Sequence, residues 1–175
     1  MELIGLYSPA PGCGKTAVAR ILHDDGYARV PFAAPLKRMA CEFLTQIGYD
    51  RGEAERLVWS DKETVIPELR VSVRHILRTL GTEWGRSCIH PGLWVYAWAK
   101  NCHAHSKVVV DDVRFLNEAV EVKARGGQMW LITRPGIEDA SGHESEGGLA
   151  GFHFDAVIEN DGTLADLRAK LQNLL

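Results

Sequence analysis

A short apolar run, Leu3-Ile4-Gly5-Leu6-Tyr7, leads into Pro9-Ala-Pro-Gly-Cys-Gly-Lys-Thr16 and then into a helical pattern from about Thr16 to His23 that carries Ala19 and Leu22 inward. No other stretch limits the fold as tightly. The apolar run reads as a buried strand, the Pro- and Gly-rich segment as a loop, and the last segment as a helix. Gly12, Gly14, Lys15 and Thr16 then gather backbone N–H groups, a cation, a hydroxyl and the positive end of a helix at one point. That combination receives a polyphosphate and its divalent cation. The spacing G-x-x-x-x-G-K-[ST] wants glycine at position 9, where this chain has Pro9. That glycine eases the exit from the strand, whereas the missing Cβ atoms of Gly12 and Gly14 are what allow phosphate to come close. Cys13 reads as a small loop residue beside the phosphates.

Further strands and helices alternate behind this unit. Extended pieces are expected near Ala28–Pro31 and at Lys107–Asp112, Gln128–Thr133 and Phe154–Ile158, with helices from Pro35, from Asp50 towards Trp59, from Leu93, from Phe115 to Arg125 and from Thr163. Asp50 with Glu53 and Thr163 with Asp166 have capping-box spacing. Ser60–Leu69, polar and containing Pro67, reads as a loop; from Ser72 a single amphipathic helix carries Val73, Ile76, Leu77, Leu80 and Trp84, with Arg70, Arg74 and Arg78 in a row on its other side. Such alternation implies an α/β fold, a parallel sheet of about five strands with helices on both faces, and the Gly12–Thr16 loop after its first strand makes the expected fold a P-loop NTPase type. At 175 residues the chain fits one domain with a core that needs no disulfide or structural metal.

Composition removes several classes. Twenty basic against 23 acidic residues, net charge −3, offer no overall positive field to a nucleic-acid polymer. The 13 arginines against seven lysines favour bidentate phosphate contacts at particular positions instead. No apolar run approaches the length of a membrane span or a signal peptide, so a cytoplasmic protein is expected. Cys13, Cys41, Cys88 and Cys102 form no C-x-x-C pair and read as reduced thiols; His90, Cys102, His103 and His105 lack the spacing of a zinc site.

The Val-rich run Lys107–Val110 delivers Asp111 and Asp112 to a sheet edge, where a carboxylate can hold Mg²⁺ directly or through water. Strand position favours Asp111. Arg114 follows at the same edge, and Arg134 follows the next strand at the equivalent end, where α/β sheets bind ligands.

Taken in order, Gly12-Cys-Gly-Lys-Thr16, Pro35-Leu-Lys37, Leu80-Gly-Thr-Glu-Trp-Gly-Arg86, Trp94, Asp112-Val-Arg-Phe115 with Asn117-Glu118, His143-Glu-Ser-Glu146 and Asn160-Asp-Gly-Thr163 resemble the bacteriophage deoxynucleoside monophosphate kinases. The resemblance spans nearly the whole chain. It implies that Gly12, Cys13, Gly14, Lys15 and Thr16 bind ATP and Mg²⁺, that the turn at Asn160 cups the adenine, and that Arg74, Gly81, Thr82, Trp94, Asp112, Arg114 and Glu118 contact a deoxynucleoside monophosphate. Arg38, His75 and Arg78 stand where further polar acceptor contacts are expected. The family pattern favours Asp112 over Asp111 for the metal, so both stay open beside Thr16. It also implies an acceptor-binding helical region at about 33–105, a short lid at about 135–151, and catalysis by Lys15, Asp112, Arg114 and Arg134. Small-molecule nucleotides are the expected partners, with a homodimer left open. The rival readings are another small-molecule kinase of the same fold, resembling dephospho-coenzyme A kinase, and a regulatory module that binds ATP without transferring phosphate.

Overall fold

A computed structural model describes residues 1–137, 148–149 and 151–175. In chain order the elements are β1 (Glu2–Tyr7), α1 (Lys15–Asp24), β2 (Ala28–Arg29), α2 (Ala34–Gln46), α3 (Arg51–Trp59), β3 (Val65–Ile66), β4 (Val71–Ser72) and α4 (Val73–Thr79). A π-helical segment (Leu80–Ile89) follows, then α5 (Leu93–Cys102), β5 (Lys107–Val110), α6 (Leu116–Ala124), β6 (Gln128–Thr133), β7 (Ala156–Glu159) and α7 (Leu164–Gln172). The chain forms two compact units, one of Met1–Phe32 with Asn101–Leu175 and one of Ala33–Lys100.

The first unit is built on a five-stranded sheet in the order β2-β5-β1-β6-β7. Every pairing in it is parallel, as expected from the alternation of strands and helices. Strand β1 pairs with β5 on one side, Leu3 opposite Val108, and with β6 on the other, Leu6 opposite Trp130. Val108, Val109 and Val110 are fully buried, which is why that run is continuously apolar rather than alternating. Helix α1 contributes Val18, Ala19, Ile21 and Leu22, and α7 contributes Leu167 and Leu171, to a core shared with Leu6, Val109, Trp130, Ile132 and Ile158. Thr163 and Asp166 form the expected capping box at α7: Asp166 accepts from the Thr163 N–H at 2.8 Å. Asp155 ties the start of β7 to its neighbours, accepting from Lys123 Nζ at 2.6 Å and from the Met129 N–H at 2.7 Å. Burial works against that carboxylate's charge, but these two donors outweigh it and lower its pKa.

The second unit packs α2, α3 and α4 around Ala40, Cys41, Leu44, Ala54, Leu57, Val58, Ile66 and Val73. Asp50 caps α3 by accepting from the Glu53 N–H at 3.0 Å, as its spacing predicts. Here the structure corrects three expectations. The segment Ser60–Leu69 is not all loop, because Val65–Ile66 pairs antiparallel with Val71–Ser72 around Pro67. Two-residue strands have no periodicity to detect; Ile66, 0% exposed, is what anchors the hairpin. Arg70 lies in the hairpin turn at φ 56 and not in a row with Arg74 and Arg78. The helix that opens at Ser72, whose side chain accepts from the His75 N–H at 3.2 Å, remains α-helical only to Thr79 and then widens into the π-helical segment.

Among the described residues no helix is long and apolar enough to cross a membrane. Cys13, Cys41 and Cys102 are buried and Cys88 is exposed. Burial pushes the thiols of Cys41 and Cys102 up, away from the reactive thiolate. A thiol-specific chromogenic reagent is therefore expected to modify one cysteine rapidly in the native protein, Cys88 by peptide mapping, and all four only after denaturation. Prompt labelling of Cys41 or Cys102 would contradict the packing.

Candidate active site

Parallel strands present all their carboxyl ends at one edge, and the first unit uses that edge throughout. The loop Ser8–Gly14 leaves β1, Asp111 and Asp112 leave β5, Arg134 leaves β6 and Asn160 leaves β7.

The loop itself is braced from within. Gly12 and Gly14 adopt φ 87 and 106, a region closed to most side chains, and Gly14 is the residue from which α1 departs. The Gly14 carbonyl accepts from the N–H groups of Ala17 and Val18 at 2.9 and 3.0 Å, starting the helix. A Cβ on Gly14 would lie 2.3 Å from Nδ2 of Asn160, so the loop and the turn after β7 meet with no room for a methyl group. Cys13 is 1% exposed and points into the core, consistent with a loop residue that offers its backbone. Lys15 donates to the hydroxyl of Ser8, which is itself buried and donates to the Ala10 carbonyl at 2.8 Å. Thr16 is exposed in the first turn of α1.

The two acids differ. Asp111 is 7% exposed and pairs through Oδ2 with Arg29, while its Oδ1 is buried without a hydrogen-bond partner. That ion pair raises the Arg29 pKa, chiefly through the hydrogen bond to Asp111. Asp112 Oδ1 accepts from the Phe32 N–H at 2.8 Å, which ties the end of β5 to the chain leaving β2. Arg114 and Arg134 are exposed. Glu118 is 3% exposed and accepts through Oε2 from the N–H groups of Arg114 and Phe115, at 2.8 and 3.2 Å. It thereby fixes the backbone from which the Arg114 side chain departs.

In the second unit Arg38, Arg74, His75, Arg78 and Thr82 are exposed, Arg74 in an ion pair with Glu63. Trp94 is only 3% exposed; its indole N–H donates to the Gly81 carbonyl at 2.8 Å. A Cβ on Gly85 would come within 2.5 Å of the same ring. Trp94 thus lies beneath the π-helical segment, diverting one of its carbonyls and fitting against a residue that must lack a side chain; such segments recur at functional sites. The expected lid at about 135–151, with His143-Glu-Ser-Glu146, falls largely outside the described residues.

Sequence reading missed Ser8, Arg29 and the inward role of Asn160. Ser8 at the strand end and Arg29 at the end of a short extended piece were visible signals, but their partners lie elsewhere in the chain.

A parallel sheet whose central strand feeds a glycine-rich loop, with lysine and threonine opening the next helix and acids ending the adjacent strand, defines a phosphate-binding protein of the P-loop class. The comparisons narrow the class. Residues 51–171 match the family model for deoxynucleotide monophosphate kinase. A protein of Acanthamoeba polyphaga mimivirus, provisionally named a deoxynucleotide monophosphate kinase, is 30% identical over 189 aligned residues, covering 98% of this chain and 94% of the relative. The deoxynucleotide monophosphate kinase of Escherichia phage RB69 is 30% identical over 109 residues, 59% of this chain and 45% of the phage protein. Among solved structures, TT1252 from Thermus thermophilus shares the fold at a TM-score of 0.55 and 21% identity, covering 98% of this chain and 95% of that one. The chain belongs to the deoxynucleotide monophosphate kinase family, and is an enzyme of nucleotide monophosphate phosphotransfer.

Gly14→Ala is expected to weaken triphosphate binding at least about tenfold, since positive φ and the contact with Asn160 both oppose the methyl group. Gly26→Ala is the control: φ is 91 there and nothing lies within 4 Å of the added Cβ, so it should lower stability and spare binding. Calorimetric titration of both variants checks the pair; equal binding losses would contradict the role given to Gly14.

Proposed function

We propose that the chain moves the γ-phosphoryl group of ATP to the 5′-phosphate of a deoxynucleoside monophosphate, giving ADP and a deoxynucleoside diphosphate. The observation that carries this reading is the gathering of Lys15, Asp111, Asp112, Arg114 and Arg134 at one sheet edge of a family member. In the transfer, the bond from the γ-phosphorus to its bridging oxygen breaks, and a bond from an acceptor phosphate oxygen forms. That oxygen is already anionic at neutral pH, so no general base is required. The work left to the protein is alignment and stabilisation of charge.

Gly12, Cys13, Gly14, Lys15 and Thr16 take the donor's phosphates in this reading, with Asn160 beside them. Lys15, held near the loop by Ser8, turns to the phosphates when they bind. Arg114 and Arg134 stabilise the charge that develops on the transferred group. For Mg²⁺ the donor set fits: Asp111 has a buried carboxylate oxygen without a hydrogen-bond partner, and Asp112 and the Thr16 hydroxyl add further hard oxygen ligands. Thr16 with Asp111 or Asp112 would hold the ion, which supplies neutralisation of the phosphate charge.

Arg38, Arg74, His75, Arg78, Gly81, Thr82 and Trp94 in the second unit, and Asp112, Arg114 and Glu118 in the first, are the residues we assign to acceptor recognition. The burial of Trp94 and Glu118 supports a supporting part for these two: Trp94 shapes the π-helical segment that carries Gly81 and Thr82, and Glu118 orients Arg114. We place the enzyme in the cytoplasm, acting on free nucleotides and not on a nucleic-acid polymer.

A coupled ADP-release assay across the natural deoxynucleoside monophosphates and their ribose counterparts tests the proposal. Turnover is expected only when a monophosphate is present, with deoxynucleotides preferred. ADP release that ignores the acceptor would refute it.

A further inference from the structure

We infer that Asn160 is a positioning residue for the phosphate loop, holding the Cys13–Gly14 peptide so that the Gly14 N–H faces the donor's phosphates. This rests on the reading that the loop binds the triphosphate.

The position of Asn160 is set by the sheet, because its backbone N–H donates to the Thr133 carbonyl at 2.8 Å as β7 ends beside β6. From there its Nδ2 donates to the Cys13 carbonyl at 3.0 Å, across 147 residues of sequence. Chemistry fixes which way the amide lies. Turned over, it would set Oδ1 against a carbonyl oxygen, two acceptors with no proton between them.

A trans peptide is planar, with its C=O and N–H pointing in opposite directions, and the described chain contains no cis bond. Drawing the Cys13 carbonyl to Asn160 therefore turns the Gly14 N–H to the other side of the loop. The Gly14 carbonyl, in the next peptide, is committed separately to the N–H groups of Ala17 and Val18, so Gly14 is held by Asn160 through the peptide before it and by the first turn of α1 through the peptide after it. Its N–H then adds to the positive end of that helix, where anions bind. The left-handed Gly14, φ 106, has no side chain to hold it in place, and Asn160 fills the space where a Cβ would stand.

A residue that cups the base acts on ATP alone. One that sets the loop acts on every triphosphate alike. The test is calorimetric titration of the full chain with ATP, GTP and inorganic tripolyphosphate in Mg²⁺, for wild type, Asn160→Ala and Asn160→Asp, with thermal unfolding of each free protein. Asn160→Asp keeps the side chain's shape and removes its donor. Wild type is expected to bind all three ligands. Asn160→Ala should bind each roughly three- to tenfold more weakly, as loss of one neutral hydrogen bond implies. Asn160→Asp should lose more, since its carboxylate faces the Cys13 carbonyl and repels the phosphates.

A loss confined to ATP, or unchanged affinity for tripolyphosphate, would overturn the inference in favour of a base contact. So would failure of both variants to unfold cooperatively, which would make Asn160 a core residue. If wild type binds neither ATP nor tripolyphosphate, the donor-site reading itself fails, a result distinct from the others.

Discussion

Parallel pairing of β1 with both β5 and β6 is the constraint from which the rest of the first unit follows. Parallel neighbours cannot be joined by a tight turn, so a return to the sheet needs a crossover: in sequence α1 lies between β1 and β2, α6 between β5 and β6, and the whole second unit between β2 and β5. The strands between such layers lose contact with water on both sides, which Val108–Val110 at 0% exposure records. The same geometry leaves all five strand ends at one edge. Residues far apart in sequence, from Lys15 to Asn160, share that edge because the sheet admits no other arrangement of its ends.

At the edge, polar groups are held by partners from neighbouring strand ends. Arg29 at the end of β2 reaches Asp111 after β5, and the Phe32 N–H reaches Asp112. The first pair is lopsided, with 49% of the arginine side chain exposed against 6% of the aspartate. Removing Arg29 would leave a buried carboxylate uncompensated, so the pair orients Asp111 as much as it stabilises the fold. Among the described residues, Oδ1 of Asp111 is the one buried side-chain oxygen or nitrogen without a hydrogen-bond partner.

Much of this was legible in the chain because its signals are local. The Gly12–Thr16 segment names its own conformation, the Val-rich run names a buried strand, and Asp50–Glu53 and Thr163–Asp166 announce helix starts within four residues. What stayed hidden depends on distant partners. Arg29 meets Asp111 across 82 residues and Asn160 meets Cys13 across 147, and nothing near either residue marks the pairing. The π-helical segment was hidden for a related reason: its apolar spacing continues that of α4, and the widening is tied to Trp94 against Gly81 and Gly85. The hairpin of β3 and β4 is too short to show alternation. Burial also changes how two acceptor candidates read, since Trp94 and Glu118 are engaged with their own backbone surroundings.

The central claim is that the phosphoryl group passes from the donor in the loop to a nucleotide acceptor and not to water. It is tested most directly by a single turnover with γ-labelled ATP and a deoxynucleoside monophosphate, the products separated by chromatography. Label recovered in the β-phosphate of the deoxynucleoside diphosphate, falling on the order of 10³-fold in Lys15→Met, is the predicted result. Label recovered as inorganic phosphate, with none in a diphosphate, would contradict the account.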